Sequence, residues 1–304
     1  MPKLAYQDKI KNELKSFVND CDLKKLKKWV STIKAADEDM ADIYLTGARD
    51  GKHSLLHEAA MVTGRDQKEI VKIMEYLRGE CGLYVDIEDA KGRTPLVFAV
   101  DRGNVKVVEY LISEGADASI SNYLGNNALH VACEPHDHSK EIVELLLAKG
   151  DVKVTDANKK GVTPLHVAAR YGNIEAMYAI LSSEEGEIKD LLKLKDDDGD
   201  TPLHYAALDE GGKAVTFLLG LGAKKTIKNG EGKTPYQVAE EWEPGGKAGK
   251  AIFSPIPSTD IDELYEALRD KDTYDYDDDA AGGGGGASHD DYVHKLTGEG
   301  AEGE

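Results

Sequence analysis

The sequence GVTPLHVAARYGN at residues 161–173 returns as GDTPLHYAALDEG at residues 199–211. Weaker versions are GRTPLVFAVDRGN at 92–104, GNNALHVACEP at 125–135, GKTPYQVAEEW at 232–242 and SLLHEAAM at 54–61. The position of the threonine falls at Ser54, Thr94, Asn127, Thr163, Thr201 and Thr234, with spacings of 40, 33, 36, 38 and 33 residues. A period of this size predicts a stack of repeated units rather than a domain built around one catalytic pocket.

Each letter of the repeated phrase has a local role. Gly161 suits a turn that needs positive φ, Thr163 suits a helix N-cap, and Pro164 suits the first helical turn, where a missing N–H costs nothing. A second segment with apolar residues at helical spacing, such as Val107, Val108 and Leu111, follows in most copies. The phrase therefore predicts a pair of helices whose apolar face is buried only by its neighbours in the stack.

Residues 51–243 resemble the ankyrin repeat family, most closely at 161–181 and 199–223. The resemblance implies an all-α ankyrin-repeat solenoid of about six repeats, in which paired helices carry protruding turns. It also implies that the threonine and histidine of the phrase bond around the turn. The histidines His57, His130, His166 and His204 are therefore expected to be structural rather than catalytic.

The rest of the chain suggests four regions. Residues 1–50 are a predicted helical N-terminal cap, with two helices expected over 7–34, and 51–247 are the repeat domain. A linker with one short helix is expected over 248–271, and an acidic, glycine-rich disordered tail over 272–304. An alternative for the cap is a basic amphipathic helix that binds a partner. Three functions are open for the tail: a solubiliser, a second docking segment, or a self-inhibitor that competes with an acidic partner for the repeats.

Charge and cysteine content narrow the function. The net charge is −19, which argues against direct nucleic-acid binding. Three separated cysteines, no apolar leader and no run of 18 apolar residues predict a cytoplasmic protein, with a nuclear location as the alternative, and no membrane span. A stack capped at both ends needs no self-association, so we expect a monomer.

No motif for a nucleophile with its base, a phosphate loop or a zinc protease occurs, so the sequence favours a protein that is not an enzyme and needs no cofactor. The only dense histidine stretch is EPHDHSKE at 134–141. His136, Asp137 and His138 offer too few ligands for a confident zinc site, and an inserted polar loop also explains them.

In the resembling family, partners usually meet the concave surface formed by the turn tips and the first helices. Carried onto this sequence, that surface is basic in its middle, acidic in the fifth repeat and supplied with aromatic anchors. The predicted function is a non-catalytic adaptor or scaffold; the alternatives are an inhibitor or escort of a basic protein, and a regulatory subunit that targets an enzyme. The predicted partner-contacting residues are Lys91, Arg93, Arg102, Tyr123, Leu124, Lys159, Lys160, Val162, Arg170, Tyr171, Asp197, Asp198, Asp200, Leu208 and Trp242.

Overall fold

The computed structural model describes residues 2–46, 53–135, 138–183, 187–256 and 258–269, without the side chains of residues 2–9 and 40. Regular secondary structure in this part of the chain is helical throughout, with no strand, as predicted. Three helices precede the repeats: α1 (Pro2–Asn19), α2 (Leu23–Ala36) and α3 (Glu38–Thr46). The structure thus adds α3 to the two helices expected in this region.

Six helix pairs follow, which we number as repeats one to six, and α12 (Ile188–Leu191) is a short extra helix between repeats four and five. The first helices are α4 (Leu55–Ala60), α6 (Pro95–Asp101), α8 (Ala128–Ala132), α10 (Pro164–Arg170), α13 (Pro202–Ala206) and α15 (Pro235–Trp242). The second helices are α5 (Gln67–Gly79), α7 (Val105–Ser113), α9 (Ser139–Lys149), α11 (Ile174–Ser182), α14 (Lys213–Gly220) and α16 (Lys247–Ala251).

One apolar core runs through the described stack. In the second helices the buried side chains recur at positions i, i+1 and i+4, as in Val107, Val108 and Leu111 of α7. The same register holds for α5 (Ile73, Met74, Leu77), α9 (Ile142, Val143, Leu146), α11 (Ala176, Met177, Ile180) and α14 (Ala214, Val215, Leu218). This shared register allows equivalent surface positions to be compared between repeats.

The N-terminal helices cover the first repeat. Leu26 and Val30 of α2 are buried, whereas Lys24, Lys25 and Lys28 are exposed on the opposite side. Helix α1 contacts both α2 and α4. An apolar face on the stack and a basic face outside are what a capping element requires.

The segment after repeat six contains a short helix, as expected, but that helix packs on the repeats instead of lying in a separate linker. Helix α16 completes a short second helix, and α17 (Ile261–Leu268) packs against α11 and α14. Leu264 and Tyr265 of α17 are buried, which ties the described part of 248–269 to the repeats. Residues 270–304, which hold the predicted acidic tail, lie outside the described residues.

Candidate interaction surface at the repeat tips

Each protruding turn between repeats is organised by one Asp or Asn side chain. In the fourth-repeat turn, Asn158 Oδ1 accepts the backbone N–H groups of Lys160 (2.9 Å) and Val162 (3.1 Å). The same two-bond pattern occurs at the other four described tips, around Asp89, Asn122, Asp196 and Asn229. These bonds fix the backbone of the tip without using its exposed side chains.

Successive tips are also bonded to one another. The N–H of Lys159 donates to Leu124 O (3.1 Å), and the N–H of Asp197 donates to Lys160 O (3.0 Å). Glycine is required at this contact: Gly125 has φ +85°, and a Cβ there would lie 2.6 Å from Lys159 N. The tips therefore form a continuous backbone ladder along the repeats.

The histidines of the repeated phrase join each first helix to the tip of the following repeat. His166 Nδ1 accepts the N–H of Thr163 (3.2 Å), so the ring proton lies on Nε2, which donates to Asp200 O of the next repeat (3.1 Å). His57, His130 and His204 make the same connection to Arg93 O, Val162 O and Lys233 O. Burial lowers the pKa of His57 and His166 to about 4 and also lowers the pKa of His130 and His204. The expected structural role of these histidines agrees with this geometry.

Over half of the predicted contact residues have exposed side chains. Tyr123 is 64% exposed and Trp242 is 41% exposed, which is unusual for large aromatic side chains. The exposed set is Lys91, Arg102, Tyr123, Lys159, Lys160, Asp197, Asp198 and Trp242. We call the surface that these eight residues form along the tips and first-helix ends the tip face.

Val162 was an incorrect choice, because it is buried beside the tip and offers only its carbonyl oxygen, which His130 already binds. Arg93 is held by its own repeat: its Nε and Nη2 lie 2.9 and 2.8 Å from Asp89 Oδ2, and its guanidinium lies 4.4 Å from the ring centroid of Phe98. Asp200 Oδ1 accepts a bond from Asn229 Nδ2 (2.7 Å). Arg93 thus stabilises its own tip, and Asp200 joins two neighbouring tips, so both side chains are engaged in holding the tips.

The remaining predicted residues are half-buried: Leu124 lies in the tip of the third repeat, and Arg170, Tyr171 and Leu208 lie at the ends of first helices. Arg170 Nη1 donates to Leu208 O (3.0 Å), and its guanidinium lies 5.4 Å from the ring centroid of Trp242. The structure thus brings Arg170, Leu208 and Trp242 together across repeats four to six. The arrangement makes Arg170 a link between repeats as well as a surface residue.

Two acidic residues at first-helix ends, Glu134 and Asp209, are half-buried. Burial together with the charge of Asp101 raises the pKa of Glu134 to about 7. Asp209 Oδ1 accepts the N–H of Gly211 (3.1 Å), and burial raises the pKa of its carboxyl group. Their placement depends on the neighbouring repeats, which a single-repeat pattern does not contain.

The Asp or Asn that organises each tip was also missed by the sequence analysis. A signal for it exists, since the residue three positions before the tip glycine is Asp89, Asn122, Asn158, Asp196 or Asn229 in the five described tips. Short polar side chains of this kind commonly bond to backbone N–H groups two residues further on. The pattern is therefore readable once the repeats are aligned on glycine.

No cluster of three or more potential metal ligands is found among the described residues. His136 and Asp137 lie outside those residues, and His138 Nδ1 lies 3.7 Å from Glu141 Oε2 on an exposed face. None of the described helices is both long and apolar enough to cross a membrane.

A family model for ankyrin repeats matches residues 56–156 and 136–229. A probable E3 ubiquitin-protein ligase of rice (Oryza sativa subsp. japonica) is 32% identical over 165 residues, which cover 45% of this chain and 33% of the ligase. The NAD-dependent deacetylase sir2B of Dictyostelium discoideum is 30% identical over 237 residues, covering 55% of this chain and 30% of that protein. The chain thus spans a third or less of the length of these two relatives.

Two solved structures share the fold. One, from the complex of a predatory endopeptidase of Bdellovibrio bacteriovorus with an immunity protein, matches with a TM-score of 0.52 and 27% identity, over 65% of this chain and 96% of that one. The other is a solved ankyrin repeat protein, with a TM-score of 0.52 and 26% identity over 66% of this chain and 96% of the other. The helix pairs, the tips and the sequence matches all indicate the same repeat fold.

Proposed function

The chain belongs to the ankyrin repeat family, and we propose that it is a non-catalytic adaptor or scaffold that binds a protein partner on its tip face. Ankyrin repeats mark a protein–protein interaction module. The proposal that the partner binds the tip face depends on one observation: the groups that hold the tips in place differ from the side chains that the tips expose. Backbone groups and buried or half-buried Asp or Asn side chains hold the tips, while Tyr123, Lys159 and Asp197 are exposed. A surface fixed in advance loses less conformational entropy when a partner binds.

The tip face has two signs of charge along its length. Lys91, Arg102, Lys159 and Lys160 occupy its first part, and Asp197 and Asp198 occupy the fifth-repeat end. A complementary partner carries acidic groups opposite the lysines and basic groups opposite the aspartates. Tyr123 and Trp242 supply aromatic contacts of the kind that dominate binding energy at interfaces.

A second candidate is an inhibitor or escort of a basic protein. The acidic fifth tip supports it, as does the similarity to a chain from a complex of an endopeptidase with an immunity protein. A regulatory subunit that targets an enzyme is the third candidate, and the relatives named as a ligase and a deacetylase are consistent with it. Simultaneous binding of two different proteins would separate the adaptor from the inhibitor.

The decisive experiment replaces Lys159 and Lys160 with Ala and measures capture of partners by the full chain, with quantitative mass spectrometry. Both side chains are exposed, so the melting temperature should stay within the scatter of the wild type. The matched control is Lys189→Ala with Lys193→Ala, two exposed lysines away from the tips. If the tip variant and the control capture the same proteins in the same amounts, the tip face is not the binding surface.

Residues 272–304 are proposed to provide a second contact or to aid solubility. Residues 258–304 hold 15 acidic and 3 basic residues, which supports an electrostatic role. A truncation that tests this should end after Arg269, because α17 is packed on the repeats and a cut near residue 243 would remove part of the stack. We also place the protein in the cytosol or nucleus, which the three free cysteines support.

A further inference from the structure

A second surface, formed by the second helices on their solvent side, already holds one helix of this chain. Helix α17 lies on α11 and α14, where the ring of Tyr265 stacks on that of Tyr178 at a centroid distance of 4.2 Å. A Cβ at Gly220 would lie 2.5 Å from Leu264 Cδ1, so the glycine lets α17 approach closely. The surface can therefore accept a short amphipathic helix through one aromatic and one aliphatic side chain.

Polar contacts at the rim of that site set the charge of what it accepts. The Tyr178 hydroxyl donates to Asp262 of α17 (2.7 Å), and the Tyr265 hydroxyl donates to Glu175 of α11. The ammonium group of Lys140 lies 4.4 Å from the ring centroid of Tyr178 and 4.8 Å from that of Tyr265. The bound helix is acidic and carries its tyrosine towards a lysine.

A comparable depression lies further along the same surface and holds no helix of the described chain. It occupies about 750 Å³ between α5, α7 and the end of α9. Half-buried Val71, Ile112 and Tyr110 supply its apolar part. We call it the α5–α7 groove; it is lined by Lys68, Val71, Lys72, Glu75, Lys106, Glu109, Tyr110, Ile112, Ser113 and Lys149.

The shared register shows how the two sites differ. The position one residue before the buried set at i, i+1 and i+4 is Glu175 in α11, but Lys72 in α5 and Lys106 in α7. On α11 and α14, the hydroxyl group of Tyr265 in the docked helix meets the carboxylate of Glu175. In the α5–α7 groove, a carboxylate of a docked helix would instead meet Lys72 and Lys106. Four lysines and two glutamates line the groove, so its own charge is positive.

We propose that the α5–α7 groove binds a short acidic amphipathic helix of a partner protein, which presents an aromatic or aliphatic side chain to Val71 and Ile112 and carboxylates to Lys72 and Lys106. This surface is distinct from the tip face, so the proposal goes beyond the adaptor function and does not depend on it. The interaction is a helix-in-groove contact of the kind in which spaced apolar anchors give affinity and rim charges give orientation.

The groove is available at low energetic cost. Two of its lysines make exposed ion pairs within the surface, Lys72 with Glu69 (2.6 Å) and Lys106 with Glu109 (3.7 Å). Exposed ion pairs contribute little to stability and exchange readily for a partner's carboxylates. Glu75 and Glu109 within the groove disfavour a nucleic acid, because its phosphates would face these carboxylates.

The test uses a fluorescent peptide with the sequence of residues 258–269, STDIDELYEALR, as a probe of the required chemistry. The full chain is titrated at low salt and fluorescence anisotropy is recorded. The site on α11 and α14 is already filled by the tethered α17, whose effective concentration exceeds that of free peptide. Saturable binding therefore reports on another site. We expect the double variant Lys72→Glu and Lys106→Glu to weaken peptide binding about tenfold or more, as reversal of two rim charges implies.

The matched control is the double variant Lys189→Glu and Lys193→Glu, which changes the net charge equally at two exposed lysines outside both the groove and the tip face. It should bind the peptide as the wild type does, while the groove variant should still capture partners of the tip face. A scrambled peptide of the same composition should bind about tenfold more weakly, because it lacks the amphipathic spacing. Equal loss in both lysine variants, equal binding of the scrambled peptide, or no saturable binding up to about 1 mM would each overturn the proposal.

Discussion

Two junctions in the stack have the same arrangement of helices but different side-chain chemistry. One lies between repeats four and five, and the other lies between repeats two and three. At the first, His166 bonds Thr163 N–H within its repeat and Asp200 O in the next. At the second, Val97 takes the histidine position and is buried at 5% exposure. A buried apolar side chain there contributes packing but no bond to the following tip.

The second junction also holds an acidic residue whose charged form is disfavoured. Burial, and to a smaller extent the charge of Asp101 of repeat two, raises the pKa of Glu134 of repeat three to about 7. The first junction therefore depends on a neutral histidine and the second on a protonated glutamate. The comparison shows that apolar stacking is the common requirement, while each junction has its own dependence on pH.

The largest loss of stability should come from disrupting the apolar stacking at the junction between repeats four and five. Leu165 is 1% exposed, so Leu165→Asp places an unpaired charge in the core between repeats. We expect a loss of about 4 kcal/mol or more in the free energy of unfolding, with repeats on both sides melting together. Urea unfolding followed by circular dichroism measures it. Lys159→Asp, an exposed change in the same repeat, is the control; a stable Leu165→Asp stack would contradict the shared core.

The next test places valine, the residue found at position 97 between repeats two and three, at the histidine position between repeats four and five. His166→Val removes the Nε2 bond and leaves Thr163 N–H and Asp200 O without that partner, in a buried setting. We expect a loss of about 2 kcal/mol at pH 7.5, since unsatisfied buried groups cost about 1 to 3 kcal/mol. The reverse change, Val97→His, should alter stability by less than about 1 kcal/mol. Equal and opposite effects of the two changes would mean that the histidine bond is worth the same at every junction.

Much of the fold could be predicted from the sequence, because the phrase around Thr163 and Pro164 encodes a cap and a helix start locally. The burial of Val162 and the anchoring of Arg170 could not, since both depend on neighbouring repeats. The packing of α17 was also missed: its apolar face was visible, but its docking on Tyr178 joins residues 84 positions apart. The sequence thus predicts caps and helix starts, which depend on adjacent residues, but not the side-chain contacts between residues that are distant in the chain.

The pH dependence of the first junction should be a smaller effect than the loss of the core residue. The pKa of His166 is lowered to about 4 from an ordinary 6.5, so between these values the unfolded chain binds the proton more tightly. The contribution of the neutral histidine is thus fully present above pH 6.5 and is lost as the pH falls towards 4. The stability difference between the wild type and His166→Val should shrink over this window. A difference that stays constant from pH 7 to pH 4 would show that His166 is not kept neutral by the fold.

The smallest effect is expected at the second junction, with the opposite sign. The pKa of Glu134 is raised to about 7 from an ordinary 4.5, so the folded chain holds the proton more tightly than the unfolded chain between these values. Stability from the protonated form is present below pH 4.5 and is lost as the pH rises through 7. Glu134→Gln keeps the neutral shape and should therefore stabilise the protein by about 1 kcal/mol at pH 8, with no gain at pH 4.5. Glu144→Gln, an exposed change in the same repeat, should have little effect at either pH. Thermal melts of the three proteins at both values measure this, and a gain from Glu134→Gln that is equal at both would mean that Asp101 and burial do not hold the proton on Glu134.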